Sequence, residues 1–350
     1  MATTLPKTMR AWRYHSFAAG PRLEQNLKIE DSLPVPTLGR NHALVKVLSV
    51  SLNPADYKAP ELPGPIRRIA YSLPATPGCD FCGRVVQLSA DSAAVKVGDL
   101  VFGRVLPGRG SVIGTLAEYI SVPAAAVAKV PQTGLSVDEA AAMGVVGNTA
   151  WQAIYPHIPD TPNTKVFING GSGGTGTFSI GIAKALGCHV TVSCSTEKVD
   201  LCKSLGADEV IDYKTQNVIQ VLKSKGPTFF LVVDNVGSPL ELYKASDDFL
   251  LPGGKFVQVG GPMSLGSVKT VLSNLFWPKL LGGGKHKFQV LMIAGYQPDQ
   301  LTKIAEWIAE KKMRVVIEEP TYEFEEAVEA FTKLRQGRNK GKLVIHVAKE

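Results

Sequence analysis

Gly170-Gly171-Ser172-Gly173-Gly174-Thr175-Gly176 lies between a β-branched apolar run, Val166-Phe167-Ile168, and a helix-forming stretch from Phe178 to Leu186. Glycines 171, 173 and 176 give the spacing G-x-G-x-x-G in a strand–turn–helix context. With no side chains in the way, such a backbone can approach a pyrophosphate at the positive end of the following helix. The turn therefore predicts a dinucleotide-binding unit. Ser172, Gly173, Gly174 and Thr175 are its expected phosphate contacts.

Outward from this turn, strands and helices alternate. Strand-like runs fall at 165–169, 189–194, 209–213, 228–234 and 255–260, with a sixth at 288–293. Helical stretches lie around 176–186, 197–205, 216–224 and 239–250, and Gly187, Gly206 and Gly253-Gly254 close helices or open turns. That rhythm predicts a parallel sheet covered on both faces. Ligands of such sheets bind at the carboxyl ends of strands, which makes Asn235, Gly237 and Gly260 cofactor-binding candidates.

The second strand of the unit, Val190-Thr191-Val192-Ser193-Cys194, ends in Ser195-Thr196 with Lys198 beyond. An NAD site would carry a carboxylate there for the ribose 2′-hydroxyl. A hydroxyl pair and an ammonium attract a 2′-phosphate instead, and Tyr213, ending the third strand, offers another donor. Glu197 runs against this, and is expected to point to solvent. Ser195 and Thr196 also suit a helix cap, with Lys198 a surface charge. The balance favours NADPH over NADH.

The first ~130 residues read as short strands separated by Pro- and Gly-bearing turns: Ala43–Val50, Gly83–Leu88, Asp99–Gly103 and Ala117–Val122. The tail repeats the idiom, with helix 298–311, strand Arg314–Ile317, helix 324–335 and strand Leu343–Val347. The expected organisation is a β-rich, barrel-like domain formed by 1–128 plus 295–350, with the nucleotide domain 129–294 inserted.

Composition excludes several classes. Apolar residues make up 45% of the 350, and no apolar run reaches membrane-spanning length. Five cysteines in a chain without a secretory signal read as free thiols, which makes the cytoplasm the expected compartment. Net charge is +7, from 38 basic and 31 acidic residues. Its densest run, Lys333 to Lys342, lacks the interleaved aromatics of a nucleic-acid surface and is expected to be a solvated loop.

Specific segments resemble the medium-chain dehydrogenase/reductase superfamily. They are Asn53-Pro54-Ala55-Asp56-Tyr57-Lys58, the run Pro77–Val86, Lys96–Gly103, Gly114–Tyr119, Asn148-Thr149-Ala150-Trp151, the glycine turn and Ser204–Tyr213. They occur in family order over nearly the whole chain. Within the superfamily the chain is most similar to the zinc-free quinone and alkenal/one oxidoreductases, and then to fungal trans-acting enoyl reductases. The resemblance implies a Rossmann doubly wound sheet inserted in a GroES-like barrel, and a homodimer paired through strand 287–294. It also places Tyr57 and Lys58 beside the nicotinamide and Thr149, Leu343 and Val344 near it. Tyr57, Lys58 and Asn53 are the candidates for the chemistry. Asn53 and Asp56 are weighed rather as braces of their loop or cofactor contacts, and the alternative to a role in the chemistry is that Tyr57 packs in the β domain and Lys58 is solvated.

Zinc dehydrogenases need soft ligands in a fixed set. The corresponding positions here hold Asn53, Cys79 and nothing suitable around Asn148, so no metal is expected. Cys79 and Cys82 form a C-x-x-C without a second pair and read as buried small hydrophobes. Reducing a conjugated carbonyl is far easier without a Lewis acid than oxidising an alcohol. Hydride to the β-carbon of an enone or to a quinone is therefore the expected reaction. A rival is a biosynthetic enoyl reductase acting on one dedicated substrate, presented by a carrier protein. A non-catalytic, crystallin-like NADPH binder belongs to another class. The Pro-rich loop Ala59–Pro77 and the segment Pro262–His286, with Phe276-Trp277, are expected to shape the substrate pocket.

Overall fold

The computed structural model describes residues 5–16, 22–61, 72–89, 95–105, 114–237, 240–259, 286–291 and 295–349. The chain divides into two compact units. One comprises Met1–Val145, Gly295–Ala309 and Ile317–Glu350, the other Val146–Ala294 and Glu310–Val316.

The first unit is built on a sheet whose strands lie in the order Tyr322–Glu323, Val344–His346, His42–Ser51, Asp80–Leu88, Leu100–Arg104, Val127–Lys129; Tyr119–Pro123 also pairs with His42–Ser51. All pairs are antiparallel except Tyr322–Glu323 with Val344–His346. The last strand thus joins strands of the first hundred residues. Its inward face, with Leu343 and Ile345, meets Phe81, Leu116 and Phe331 in one apolar core. Burying such side chains contributes about 1.5–3 kcal/mol each, which is what holds the tail in place. Trp12 seals one side, its indole N–H donating to the Phe324 carbonyl at 2.7 Å.

In the second unit six parallel strands lie in the order Glu209–Asp212, His189–Cys194, Lys165–Asn169, Phe229–Asp234, Leu250–Gln258, Lys287–Val290. Numbered by sequence this is 3-2-1-4-5-6, the doubly wound Rossmann order, with its switch point between Lys165–Asn169 and Phe229–Asp234. Buried β-branched and aromatic side chains fill these strands on both faces.

Three sequence expectations are corrected here. The helix expected over 239–250 ends at Ala245, and Gly253-Gly254 lie inside strand Leu250–Gln258. Gly253 has φ +82°, and the pairing register with Phe229–Asp234 slips nearby. The glycines make an irregularity in a strand rather than ending a helix. Arg314–Ile317 is not a strand, and only an isolated bridge from Ile317 to Lys342 forms there. Finally, the basic run 333–342 is not simply a solvated loop. Arg335 and Lys342 are folded into ion pairs, with 18% and 2% of their side chains exposed, because carboxylates from distant segments meet them.

Candidate active site

In the second unit the glycine turn sits at the carboxyl end of Lys165–Asn169 and opens the helix Gly174–Ala185. Each glycine has its own reason. A Cβ on Gly176 would lie 2.1 Å from the Gly170 oxygen, and one on Gly171 would lie 2.9 Å from Val192 Cβ. A Cβ on Gly173 would meet nothing within 4 Å. The first two positions therefore close the turn against the sheet, while the third faces open space where a ligand can approach the backbone. Side chains clasp the two switch-point strands. Ser193 Oγ donates to Asn169 Oδ1 at 2.5 Å and accepts the Gly170 N–H at 3.0 Å. Asn169 Nδ2 donates to Asp234 Oδ1 at 2.9 Å, and that oxygen also accepts the Val236 and Gly237 N–H groups at 3.1 and 3.2 Å.

Immediately beside this clasp, both polar atoms of the Asn235 amide are buried without a hydrogen-bond partner among the described residues. Orphaned buried amides are costly. At a carboxyl edge next to a glycine turn, such an amide fits a polar ligand that completes it. The set suits a pyridine nucleotide: backbone N–H groups at 172–175 for the pyrophosphate, Asn235 and Gly237 (φ +73°) at the edge. Ser172 and Thr149 are buried within this unit as well. Gly260 lies outside the described residues.

At the second strand's end the pattern is mixed. Ser195 Oγ donates to Glu197 Oε1 at 2.8 Å, and Thr196 Oγ1 donates to Asp212 Oδ2 at 2.7 Å. Glu197 is exposed to solvent, and its carboxylate accepts from the serine hydroxyl two residues earlier. Ser195 is the N-cap of the following 3-10 turn, yet its side chain caps nothing. Lys198 is 8% exposed, whereas the Tyr213 ring is half exposed with Lys214 near its face.

In the first unit, the helix Pro54–Lys58 follows directly on strand His42–Ser51. Asp56 Oδ2 accepts the Asn53 N–H at 2.7 Å and closes the helix start. Asn53 is fully committed: Nδ2 faces Asp80 Oδ2 at 2.9 Å and the Ser51 carbonyl at 3.5 Å, while Oδ1 accepts from Lys342 Nζ at 2.5 Å. These contacts support the bracing role weighed for it. Asp80 also accepts from Ser51 Oγ at 3.1 Å and from the Val145 N–H at 2.7 Å. A Cβ on Gly144 would lie 2.3 Å from Asp80 Oδ1, so only glycine fits beneath that carboxylate.

Burial sets the electrostatics of this cluster. It pushes the Asp56 carboxyl up to about 7, against the pull of Cys79 and the Asn53 N–H. Burial also raises the Cys79 thiol well above its ordinary range, and it lowers Arg104. Tyr57 is half-buried with the Arg335 guanidinium 4.1 Å over its ring, and burial raises its phenol. Arg335 is held by Glu24 at 2.8 and 2.7 Å and by Glu61 at 3.1 and 2.5 Å. Lys58, half-buried, ends the helix. Leu343 and Val344 are fully buried next to it, the Leu343 carbonyl accepting the Leu52 N–H at 3.0 Å.

The structure gathers Asn53, Asp56, Tyr57, Lys58, Leu343 and Val344 in the first unit. In the second lie Thr149, the turn 172–175, Ser195, Thr196, Lys198, Tyr213, Asn235 and Gly237. Sequence reasoning missed Asp80, Lys342, Asn169, Ser193 and Asp234. Asp80 stood inside the quoted Pro77–Val86 segment, and Asn169 and Asp234 each end a strand, so position carried a signal. Lys342 carried none.

Two family models match the chain: "Alcohol dehydrogenase GroES-like domain" over residues 39–132 and "Zinc-binding dehydrogenase" over 205–345. A trans-enoyl reductase, pgmF of Aspergillus terreus, is 44% identical over 99% of this chain and 98% of its own length. The 2-methylene-furan-3-one reductase of Solanum lycopersicum is 29% identical over 98% of this chain and 80% of its length. Among solved structures, the quinone oxidoreductase from Coxiella burnetii superposes with a TM-score of 0.80 at 27% identity, covering 97% of this chain and 99% of that one. The second family is named for zinc binding, but the donor set here does not fit that ion. Zinc takes thiolate, imidazole or carboxylate ligands. This cluster offers an amide, a thiol held protonated and a carboxylate already paired with an ammonium. Among the described residues no three His, Cys, Asp or Glu side chains are grouped to hold a metal. The chain is thus an NAD(P)H-type oxidoreductase and belongs to the medium-chain dehydrogenase/reductase superfamily.

Proposed function

We propose that the chain is an NADPH-dependent reductase of α,β-unsaturated carbonyl compounds, enones or enoyl derivatives, with quinones as further acceptors. The observation that carries this reading is the buried Asn53–Asp80–Lys342 cluster, whose donors suit no Lewis-acid metal. Alcohol oxidation is harder without such an ion to polarise the hydroxyl, whereas a conjugated carbonyl is electrophilic already. The relatives named an enoyl reductase, a 2-methylene-furan-3-one reductase and a quinone oxidoreductase act on acceptors of that kind.

The reduced nicotinamide, when bound, supplies the hydride for the acceptor's β-carbon. The chain's own residues do the rest. The N–H groups of 172–175 and the helix start hold the pyrophosphate, and Asn235 and Gly237 orient the nucleotide at the sheet edge. Lys198 supplies the positive charge for a 2′-phosphate, and Tyr213, after the neighbouring strand, is proposed as a further donor. No carboxylate ends strand His189–Cys194 itself, which is what favours NADPH, although Glu197 and Asp212 hold the nearby hydroxyls. Tyr57 and Lys58 are the donors proposed for the enolate oxygen, with Leu343 and Val344 of the same unit proposed near the nicotinamide; in the other unit Thr149 is the residue proposed for its carboxamide. Five buried free thiols suit a reducing compartment such as the cytosol. Lys287–Val290, an edge of its sheet among the described strands, is the surface proposed for pairing of two copies.

The 44% identity to a trans-enoyl reductase favours a second reading, in which one dedicated enoyl thioester arrives on a carrier protein. NADPH oxidation followed over a panel of small enones, enoyl thioesters and quinones tests both. Turnover of small enones supports the first, turnover of carrier-bound thioesters alone supports the second, and oxidation with none of them refutes the reductase reading.

A further inference from the structure

An ammonium has three N–H donors, and those of Lys342 point at three acceptors drawn from two segments distant in the chain from it and from each other. These are the Leu52 carbonyl at 2.9 Å, Asn53 Oδ1 at 2.5 Å and Asp80 Oδ2 at 3.2 Å. Lys342 is 2% exposed and Asp80 0%. Asp80 passes the connection on to Ser51 and to the start of helix Gly144–Ile154 through the Val145 N–H. A charge so deep is tolerated only when paired and fully hydrogen-bonded, and this one is. Gathering a carboxylate, an amide oxygen and a carbonyl around one buried positive centre is the task a metal ion performs in a metal site. A divalent ion approaching the same acceptors would meet a like charge.

We propose that Lys342 is the built-in cation of this centre, a positioning residue whose ammonium fixes Asn53 and Asp80, and through Asn53 the helix carrying Tyr57 and Lys58. The proposal deepens the reductase reading and rests on it for its catalytic part. With all three donors spent on protein, Lys342 does not touch substrate. Its effect is exerted through the orientation of Pro54–Lys58. A lysine is required rather than an arginine, because a planar guanidinium cannot direct its donors at three converging acceptors.

The test is chemical rescue. Lys342→Ala removes the fragment that n-propylammonium reproduces. Its melting temperature should fall by about 10 °C and its turnover of an enone by about 100-fold, with the NADPH dissociation constant unchanged. Propylammonium chloride should restore both readouts in part, and n-propanol, equal in size but neutral, should restore neither. Equal rescue by the alcohol would reduce Lys342 to packing, and wild-type turnover in Lys342→Ala would overturn the positioning role. Should that variant not fold, Lys342→Met with Asp80→Asn removes both charges at nearly constant volume. Folded protein with undiminished kcat would again overturn the proposal, while kcat lowered with KM and NADPH binding kept would support it. If the wild type turns over no acceptor at all, the reductase reading fails. The cation claim then stands or falls on whether propylammonium raises the melting temperature where propanol does not.

Discussion

The two regions that carry the candidate chemistry are built by opposite means. The carboxyl edge of the parallel sheet presents backbone, and its specificity lies in where side chains are missing, at Gly171, Gly173 and Gly176. The cluster at the end of His42–Ser51 presents side chains, and its specificity lies in the pairing of Lys342, Asp80, Asn53 and Asp56. A backbone site breaks when an atom is added, and a side-chain site breaks when a charge is removed.

The largest effect should come from adding one carbon at Gly176, where a Cβ would lie 2.1 Å from the Gly170 oxygen. Gly176→Ala should weaken NADPH binding at least about 100-fold by calorimetry, because rigid backbone must shift. Gly173→Ala, with nothing within 4 Å of its Cβ, should leave the melting temperature unchanged and weaken NADPH only. Equal damage from both would break the distinction between a packing glycine and a ligand-facing one.

On the other side of the comparison, Asp80→Ala strands the Lys342 ammonium in the interior. It should cost about 3–5 kcal/mol in urea unfolding, as breaking buried pairs does. A cost below about 1 kcal/mol would mean that the cluster is wetter than its 0% exposure implies.

The pH dependence follows from Asp56, pushed up to about 7 by burial. Its ordinary value is about 3.9, so the folded state holds the proton more tightly than the unfolded chain. The associated stability is complete below about pH 4, is lost as pH rises to about 7 and changes no further above that. Unfolding measured across this window should show the decline in wild type and its absence in Asp56→Asn. The same slope in both would remove Asp56 as its source.

The difference between the regions also explains what the sequence disclosed. Glycines act locally, so the turn at 170–176 and the alternation of strands and helices after it could be read from neighbours a few residues away. Ion pairs act across the chain. Lys342 meets Asp80 across 262 residues and Arg335 meets Glu24 across 311, so both looked like members of one solvated basic run. Gly253-Gly254 misled for a related reason. Glycine permits a strand irregularity as readily as a helix end, and only pairing with Phe229–Asp234 decides between them.

A smaller effect sharpens the nucleotide side. Lys198→Ala should raise the NADPH dissociation constant about tenfold, the loss of one charge-assisted contact, and leave NADH untouched. Equal changes for both would place Lys198 away from the 2′-phosphate and leave Glu197 and Asp212 to set a preference for NADH.

Tracing the hydride shows directly whether the nicotinamide reduces a conjugated double bond without a metal. NADPH deuterated at the transferable position of C4 is incubated with metal-stripped protein and a small enone, and the product is read by NMR. A saturated ketone with deuterium on the β-carbon is the expected product. Deuterium on the carbonyl carbon of an allylic alcohol, or activity that returns only with zinc, would contradict metal-free conjugate reduction.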